Sequence, residues 1–258
     1  MKTKFGPDGI IRAAHFPGFS MLLETDIMLI PSGSTGLSML QVQTGDGQSE
    51  LFHELSIVSD KLKKTISISS HLIFWISPSA YHVTLYDGIN KENVNELPHD
   101  MEKRFGKILD GLPASFQSLF LENILKEIQT LEKLPSPISM RFSHFAIRQD
   151  ALVAYLSPAN IPSADALAVI EAERLRVDEY LHEAFGKRKC GQFEPHVTLC
   201  YFHTREALHE GRFLLRNIEY CKSSVPDNVV VTFRTADIYG FTDMVTFFRR
   251  DFASTVQD

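Results

Sequence analysis

The chain has 258 residues, of which 44% are hydrophobic, and a formal net charge of -6. That is ample apolar material for a core, so general disorder is excluded, and the length fits one large domain or two small lobes. The acidic balance argues against broad binding of duplex nucleic acid, which needs clustered Lys and Arg, yet is compatible with a small phosphate ligand or a strand end held in a cleft. The three cysteines, Cys190, Cys200 and Cys221, show no C-x-x-C spacing, so a reducing compartment and no structural zinc are expected. The first residues lack an apolar leader core and no run approaches the length of a membrane span, so a soluble cytoplasmic protein without membrane contact is expected.

After a lead-in rich in Gly and Pro, residues 16–24 and 27–30 read as extended, 31–36 as a loop and 37–43 as a further strand. The turn Thr44-Gly45-Asp46-Gly47 leads into a helix to Lys64, with Leu51, Leu55, Val58 and Leu62 at helical spacing. Residues 66–76 are dense in β-branched and aromatic residues and read as strand. Beyond Gly88 the chain turns polar and mostly helical to Leu134, and Phe116, Phe120, Ile124, Ile128 and Leu131 predict one amphipathic helix ending at Pro135-Ser136-Pro137. That proline pair is the expected lobe boundary. Strands follow at 138–147 and 151–156, joined by the turn Arg148-Gln149-Asp150; Ser163 is the expected N-cap of a helix to Phe185. A basic loop, Gly186-Lys187-Arg188-Lys189, precedes a strand near 196, Thr204 caps a helix through Tyr220, and 229–239 with 244–250 form a terminal hairpin.

Two strands carry the chemistry, because His82-Val83-Thr84-Leu85 recurs as His196-Val197-Thr198-Leu199. Successive side chains of a strand point to opposite faces. His82, Thr84 and Tyr86 therefore share one face, as do His196, Thr198 and Cys200, while Val83, Leu85, Val197 and Leu199 point into the core. An imidazole beside a hydroxyl suits a phosphate: the hydroxyl donates to a non-bridging oxygen and the imidazole exchanges a proton with an entering or leaving oxygen. Two such strands across a cleft supply a neutral base and a protonated acid, and no metal is required. A single H-x-T in a strand is usually an ordinary sheet residue; two identical tetrapeptides at equivalent places in similar halves are not.

On these residues the chain resembles the 2H phosphoesterase superfamily, which is defined by two H-x-[ST]-x signatures and includes the cyclic phosphodiesterase and RNA ligase T-like folds. Phe16-Pro17-Gly18, followed by Pro78-Ser79-Ala80-Tyr81-His82, resembles one branch of it. The resemblance implies an α+β fold in which two antiparallel sheets with outer helices flank a central cleft, with pseudo-two-fold duplication. It sets one bilobal domain over 1–258, with a first lobe at about 16–87, a helical insertion at 88–134 and a second lobe at about 138–250. It further implies His82 and His196 as the acid/base pair, Thr84 and Thr198 as phosphate ligands, and 2′,3′-cyclic phosphates, 2′-5′ linkages or RNA 3′ ends as substrates.

The expectation is a metal-independent phosphodiesterase, without cofactor, acting on a cyclic nucleotide phosphate or an oligonucleotide. The alternatives are a nucleotide or RNA-end binding protein that uses the same cleft without turnover, and a partner-binding protein using the apolar surface at 116–131. Tyr86 can stack on a base or pack as a rim aromatic, and Phe202 is a second stacking candidate. Tyr81, Tyr201 and Phe19 are expected in the core, Cys200 in the cleft lining, and Lys187, Arg188 and Lys189 either attract a polyanion or form a solvated loop. Arg141 is a further candidate phosphate contact.

Overall fold

The computed structural model describes residues 15–25, 27–31, 37–42, 50–65, 72–121, 125, 127–203, 207–209 and 225–250. In chain order its regular elements begin with strands β1 (Gly18–Glu24), β2 (Ile27–Pro31) and β3 (Leu37–Val42), helix α1 (Glu50–Thr65), and strands β4 (Ile73–Trp75) and β5 (Val83–Asn90). Helices α2 (His99–Asp110) and α3 (Phe116–Leu121) follow, then strands β6 (Ile138–Arg148) and β7 (Ala151–Pro158) and helix α4 (Ile161–Phe185). Strands β8 (His196–Phe202), β9 (Val230–Phe233), β10 (Thr235–Phe241) and β11 (Phe247–Arg250) complete the order. Among the described residues, no helix is long and apolar enough to cross a membrane.

The strands form two antiparallel sheets, one of six strands in the order β2-β3-β11-β10-β1-β5 and one of five in the order β4-β8-β7-β6-β9. The expected α+β architecture of two antiparallel sheets with helices is therefore present. The sheets do not follow the break at 135–137, however. β4 crosses to the sheet of the second half, and β10 and β11 return to the sheet of the first. The expected strand at 229–239 is accordingly divided at Arg234: β9 pairs with β6, whereas β10 pairs with β1 and β11.

Alternation in β1 shows how one strand serves two environments. Phe19, Met21 and Leu23 enter the main core, while Leu22 joins Phe16, Tyr239, Phe241 and Phe247 on the other face. Helix α1 buries Leu51, Leu55, Val58 and Leu62, the stripe its spacing predicts, and adds Phe52, whose ring meets Phe233 and Tyr81 at centroid distances of 6.4 and 6.2 Å. Within α4, Ala166, Ile170, Val177 and Leu181 are buried. Asn160, not Ser163, caps this helix, its side chain accepting from the Ser163 N–H at 2.9 Å. Asn is as good a cap as Ser, and Pro162 fits the first turn. Ser163 is buried instead and accepts from the Ser139 N–H. The helix ends at Gly186 (φ 70°), where a Cβ would in addition lie 2.6 Å from Pro98 Cδ.

The single amphipathic helix expected from Phe116 to Leu131 is not continuous. Helix α3 ends at Leu121, and Ile128–Glu132 is a 3-10 turn. There the Thr130 hydroxyl donates to the Glu127 carbonyl at 2.7 Å, and Arg176 of α4 clamps both Glu127 and Thr130 at 2.8 Å, which holds the chain in the tighter turn. Phe116, Ile128 and Leu131 are buried in the main core. The side chains of Phe120 and Ile124, residues 66–71 and most of the helix expected at 204–220 lie outside the described residues.

Candidate active site

The two tetrapeptides face each other across a cavity of about 410 Å³ whose lining includes His82, Thr84, His196 and Thr198. Each histidine is set by the same local device. His82 Nδ1 lies 2.8 Å from the Ala80 carbonyl, and His196 Nδ1 lies 2.7 Å from the Glu194 carbonyl, two residues upstream in both cases. A carbonyl only accepts, so Nδ1 of each neutral ring carries the proton and Nε2 is left as the base. Val83, Leu85, Val197 and Leu199 are buried, as alternation requires, while Thr84 and Thr198 stay half-buried beside the imidazoles.

Beyond each threonine the alternation breaks. In β5 the pairing with β1 passes from Leu22↔Thr84 to Met21↔Tyr86, and in β8 the pairing with β7 passes from Val153↔Thr198 to Leu152↔Cys200. Each motif strand thus carries an extra residue at the same place, a β-bulge that reverses the phase of the residues just after it, and β5 has a second irregularity between Asp87 and Asn90. Tyr86 is consequently turned inward, 1% exposed, and donates to Asp178 Oδ1 at 2.8 Å, so it is not a stacking platform. Phe202 and Cys200 are likewise buried, at 1% and 0%, and neither lines the cavity. Their places are taken by Asp87 and Tyr201, each five positions after its histidine. Tyr201 is in the core as expected and also lines the cavity, with its hydroxyl hydrogen-bonded to Thr198.

Helix α4 holds the first bulge. A bulge leaves backbone groups outside the ladder, and here Arg174 Nε donates to the Leu85 carbonyl at 2.7 Å. One turn further, Asp178 takes the Tyr86 hydroxyl on Oδ1 and the Cys190 N–H on Oδ2 at 2.6 Å. Lys187, 4% exposed, completes this buried group, with Nζ 3.2 Å from Cys190 Sγ, 3.9 Å from Asp178 and 4.9 Å from the centre of the Tyr86 ring. Gly88 lies in the same strand, and a Cβ there would fall 2.2 Å from the Phe19 carbonyl oxygen, so β5 cannot approach β1 this closely with any side chain at that position.

The cavity is electrically mixed. Asp87, Glu92 and Glu96 line it, as do Arg148, Lys187, Arg188 and Lys189. In the sequence Arg148 reads only as part of a turn. It ends β6 beside the turn residue Gln149 (φ 54°), with NH1 3.2 Å from His196 Nδ1 and 3.6 Å from Glu194 Oε2. Because that ring nitrogen already donates its one proton to the Glu194 carbonyl, the guanidinium lies alongside the ring as a charge and not as a donor to it. Arg141, the candidate from sequence, is exposed and paired opposite Ser157, away from the cavity lining. Phe19 and Tyr81 are in the core as expected. The ring of Phe247 lies 4.5 Å from that of His82.

Burial pushes both imidazoles below their ordinary value of about 6.5. At His82 the Ala80 carbonyl and Asp87 oppose the shift and His196 adds to it; at His196 the Glu194 carbonyl, Asp87 and the Glu194 carboxylate oppose it and Arg148 adds to it. Two neutral imidazoles that sense each other are ready to receive a proton when an anionic ligand enters between them.

No family model matches the chain, and no curated protein matches it. Among solved structures it is similar to the conserved protein of unknown function ATU0111 from Agrobacterium tumefaciens str. C58, with a TM-score of 0.56 and 15% identity over 96% of this chain and 89% of that one. TT0787 of Thermus thermophilus matches with a TM-score of 0.41 and 13% identity over 90% of this chain and 93% of that one. LigT of E. coli in its apo form matches with a TM-score of 0.40 and 10% identity over 92% of this chain and 95% of that one. The first likeness shows a shared fold over nearly the whole chain, and the functional reading rests on the cleft itself.

Proposed function

We propose that the cleft is the active site of a phosphodiesterase that works by two-histidine acid/base catalysis without a metal ion, on a cyclic nucleotide phosphate or another nucleotide phosphodiester. The observation that carries this reading is the repeated device of an imidazole with Nδ1 tied to a backbone carbonyl and a threonine two residues on, present on both walls of one cavity. In hydrolysis, the neutral Nε2 of one histidine takes a proton from water as the water oxygen bonds to phosphorus. The bond from phosphorus to the leaving oxygen breaks, and that oxygen takes a proton from the imidazolium of the other histidine. The product is a phosphomonoester, and the ring that acted as base ends protonated, so the roles reset through solvent. Thr84 and Thr198 donate to the non-bridging oxygens, where charge builds up in the transition state.

A product-resolved screen tests this reading. Wild-type protein and His196→Ala are incubated, with chelator present, with 2′,3′-cyclic mononucleotides, 2′-5′ and 3′-5′ oligonucleotides and cyclic dinucleotides. A phosphomonoester product from wild type and none from the variant is expected. Ligand-induced thermal protection with no product after long incubation would instead support a binding protein.

A further inference from the structure

The charges around the cavity bear on the size and charge of what enters it. Asp87 stands in the cleft because of the bulge in β5, and Glu92 and Glu96 follow in the turn beyond the strand, both exposed at the cavity edge. Among the described residues no cation pairs with any of these three. The lysine between them in sequence, Lys91, turns away to Asp110 at 3.0 Å. On the opposite side most of the basic run is already committed, and only Arg188 is exposed at the cavity without a carboxylate partner among the described residues. Lys187 is buried against Asp178, Cys190 and Tyr86, Lys189 pairs with Glu179, and Arg148 pairs with Glu194. A cleft that follows a nucleic-acid strand needs a path of available cations and exposed aromatic faces. Among the described residues this one offers a single uncommitted cation, Arg188, against three carboxylates, and the two aromatics that strand phase pointed to, Tyr86 and Phe202, are buried. The polar groups beside Asp87 are of a different kind. The Ser20 hydroxyl reaches Asp87 Oδ1 at 3.5 Å, and Asn90, whose Oδ1 accepts from the Glu92 and Asn93 N–H groups, lines the cavity next to it.

We infer that the site selects a small phosphodiester with a single negative charge and free hydroxyl groups, of mononucleotide size, and rejects strands that bring a second phosphate. The inference rests on the phosphodiesterase reading of the cleft and specifies its substrate class. One phosphate is held between the imidazoles and threonines. The carboxylate of Asp87, with Ser20 and Asn90, faces the hydroxyl-bearing side of the ligand. Glu92 and Glu96 act at the edge, where a neighbouring phosphate of a longer chain would have to lie. The cavity volume of about 410 Å³ is in the range of small-molecule sites and short of an extended groove.

The test compares a 2′,3′-cyclic mononucleotide with a dinucleotide and a trinucleotide that end in the same cyclic phosphate. Wild type and Glu92→Gln/Glu96→Gln are measured at about 20 and about 200 mM salt, spanning weak to strong screening. In wild type at low salt, kcat/KM falls roughly threefold to fivefold for the first added phosphate, the repulsion expected from two carboxylates about 8 Å away in a wet environment, and by less for the second, which lies farther off. The gap narrows at high salt and in the double variant, while the mononucleotide changes less than about twofold by the same reasoning. A wild type that prefers the trinucleotide, or a gap that responds to neither salt nor the variant, overturns the inference. Equilibrium binding of the mononucleotide and trinucleotide to His82→Gln protein separates this from failure of the catalytic reading. No turnover of any substrate together with tighter mononucleotide binding discards catalysis and keeps the charge selection, whereas binding of neither discards both.

Discussion

Replacing Arg148 by Met isolates a cation that, among the described residues, distinguishes the two histidines. Its guanidinium lies beside His196, with NH1 3.2 Å from Nδ1, and its side chain is 40% exposed. Taking a charge separation of about 5 Å and an effective dielectric between roughly 40 and 80 gives about 0.8–1.7 kcal/mol of repulsion against a protonated His196, equivalent to about 0.6–1.2 pH units. Arg148→Met should therefore raise the His196 pKa by about that amount at low salt, and the Glu194 carboxylate released from its partner acts in the same direction. NMR titration of the imidazole Cε1–H signals, assigned with His82→Gln and His196→Gln, reads the effect directly, and His82 serves as an internal control. At about 1 M salt the effect should fall below half, because the screening length is then about 3 Å. A His196 pKa that stays put or falls in the Arg148 variant would refute the electrostatic account of the site.

Further outcomes follow from the same geometry. Both motif histidines titrate below about 6.5 in the folded state, so their contribution to stability is complete above that pH and is lost as the pH falls through their folded values; melting temperature between pH 7.5 and 5 should fall more steeply for wild type than for His82→Gln/His196→Gln, and equal slopes would contradict the shifts. Asp178→Ala strands the Tyr86 hydroxyl, the Cys190 N–H and Lys187 and should cost about 3–5 kcal/mol in urea unfolding, whereas Tyr86→Phe, which removes only the hydroxyl, should cost about 1 kcal/mol; equal costs in the two variants would contradict a network centred on Asp178. Burial, with help from Asp237 and Glu24, pushes the Glu132 carboxyl up from 4.5 to about 7, so this group costs no stability below the lower value, and the penalty grows as the pH rises to the upper one and is complete above it. Glu132→Gln should then gain on the order of 1 kcal/mol over wild type at pH 8 and nothing at pH 4, measured by denaturant melts at both.

The alternation His-Val-Thr-Leu correctly separates Thr84 and Thr198 from the buried valines and leucines, because period-two geometry is local. The same rule fails one residue later, since nothing in Leu85-Tyr86-Asp87 signals an extra residue. The bulge is held by Arg174 and Asp178, which lie 89 and 92 positions along the chain and act on the strand only after α4 has packed. That is why strand phase alone leaves Asp87 and Tyr201 outside the site and puts Tyr86 and Phe202 within reach of it. The periodicity of α1 and the β6–β7 hairpin are legible for the same local reasons as the motif. The exchange of β4, β10 and β11 between sheets is not, because each reads as an ordinary strand whichever sheet receives it. Arg148 is hidden by its place in a turn, where a charged residue carries no periodic signal. Only the hairpin register, which sets Ala151 opposite both Arg148 and Tyr201, brings that end of β6 to the cleft.

The most direct test of the central claim is the turnover of a 2′,3′-cyclic mononucleotide in the presence of chelator by wild type, His82→Gln and His196→Gln. The account predicts a phosphomonoester from wild type, a bell-shaped pH dependence, and a loss of about 10²–10⁴-fold in each variant. Full activity in either variant, or wild-type turnover that stops when chelator is added, would contradict it.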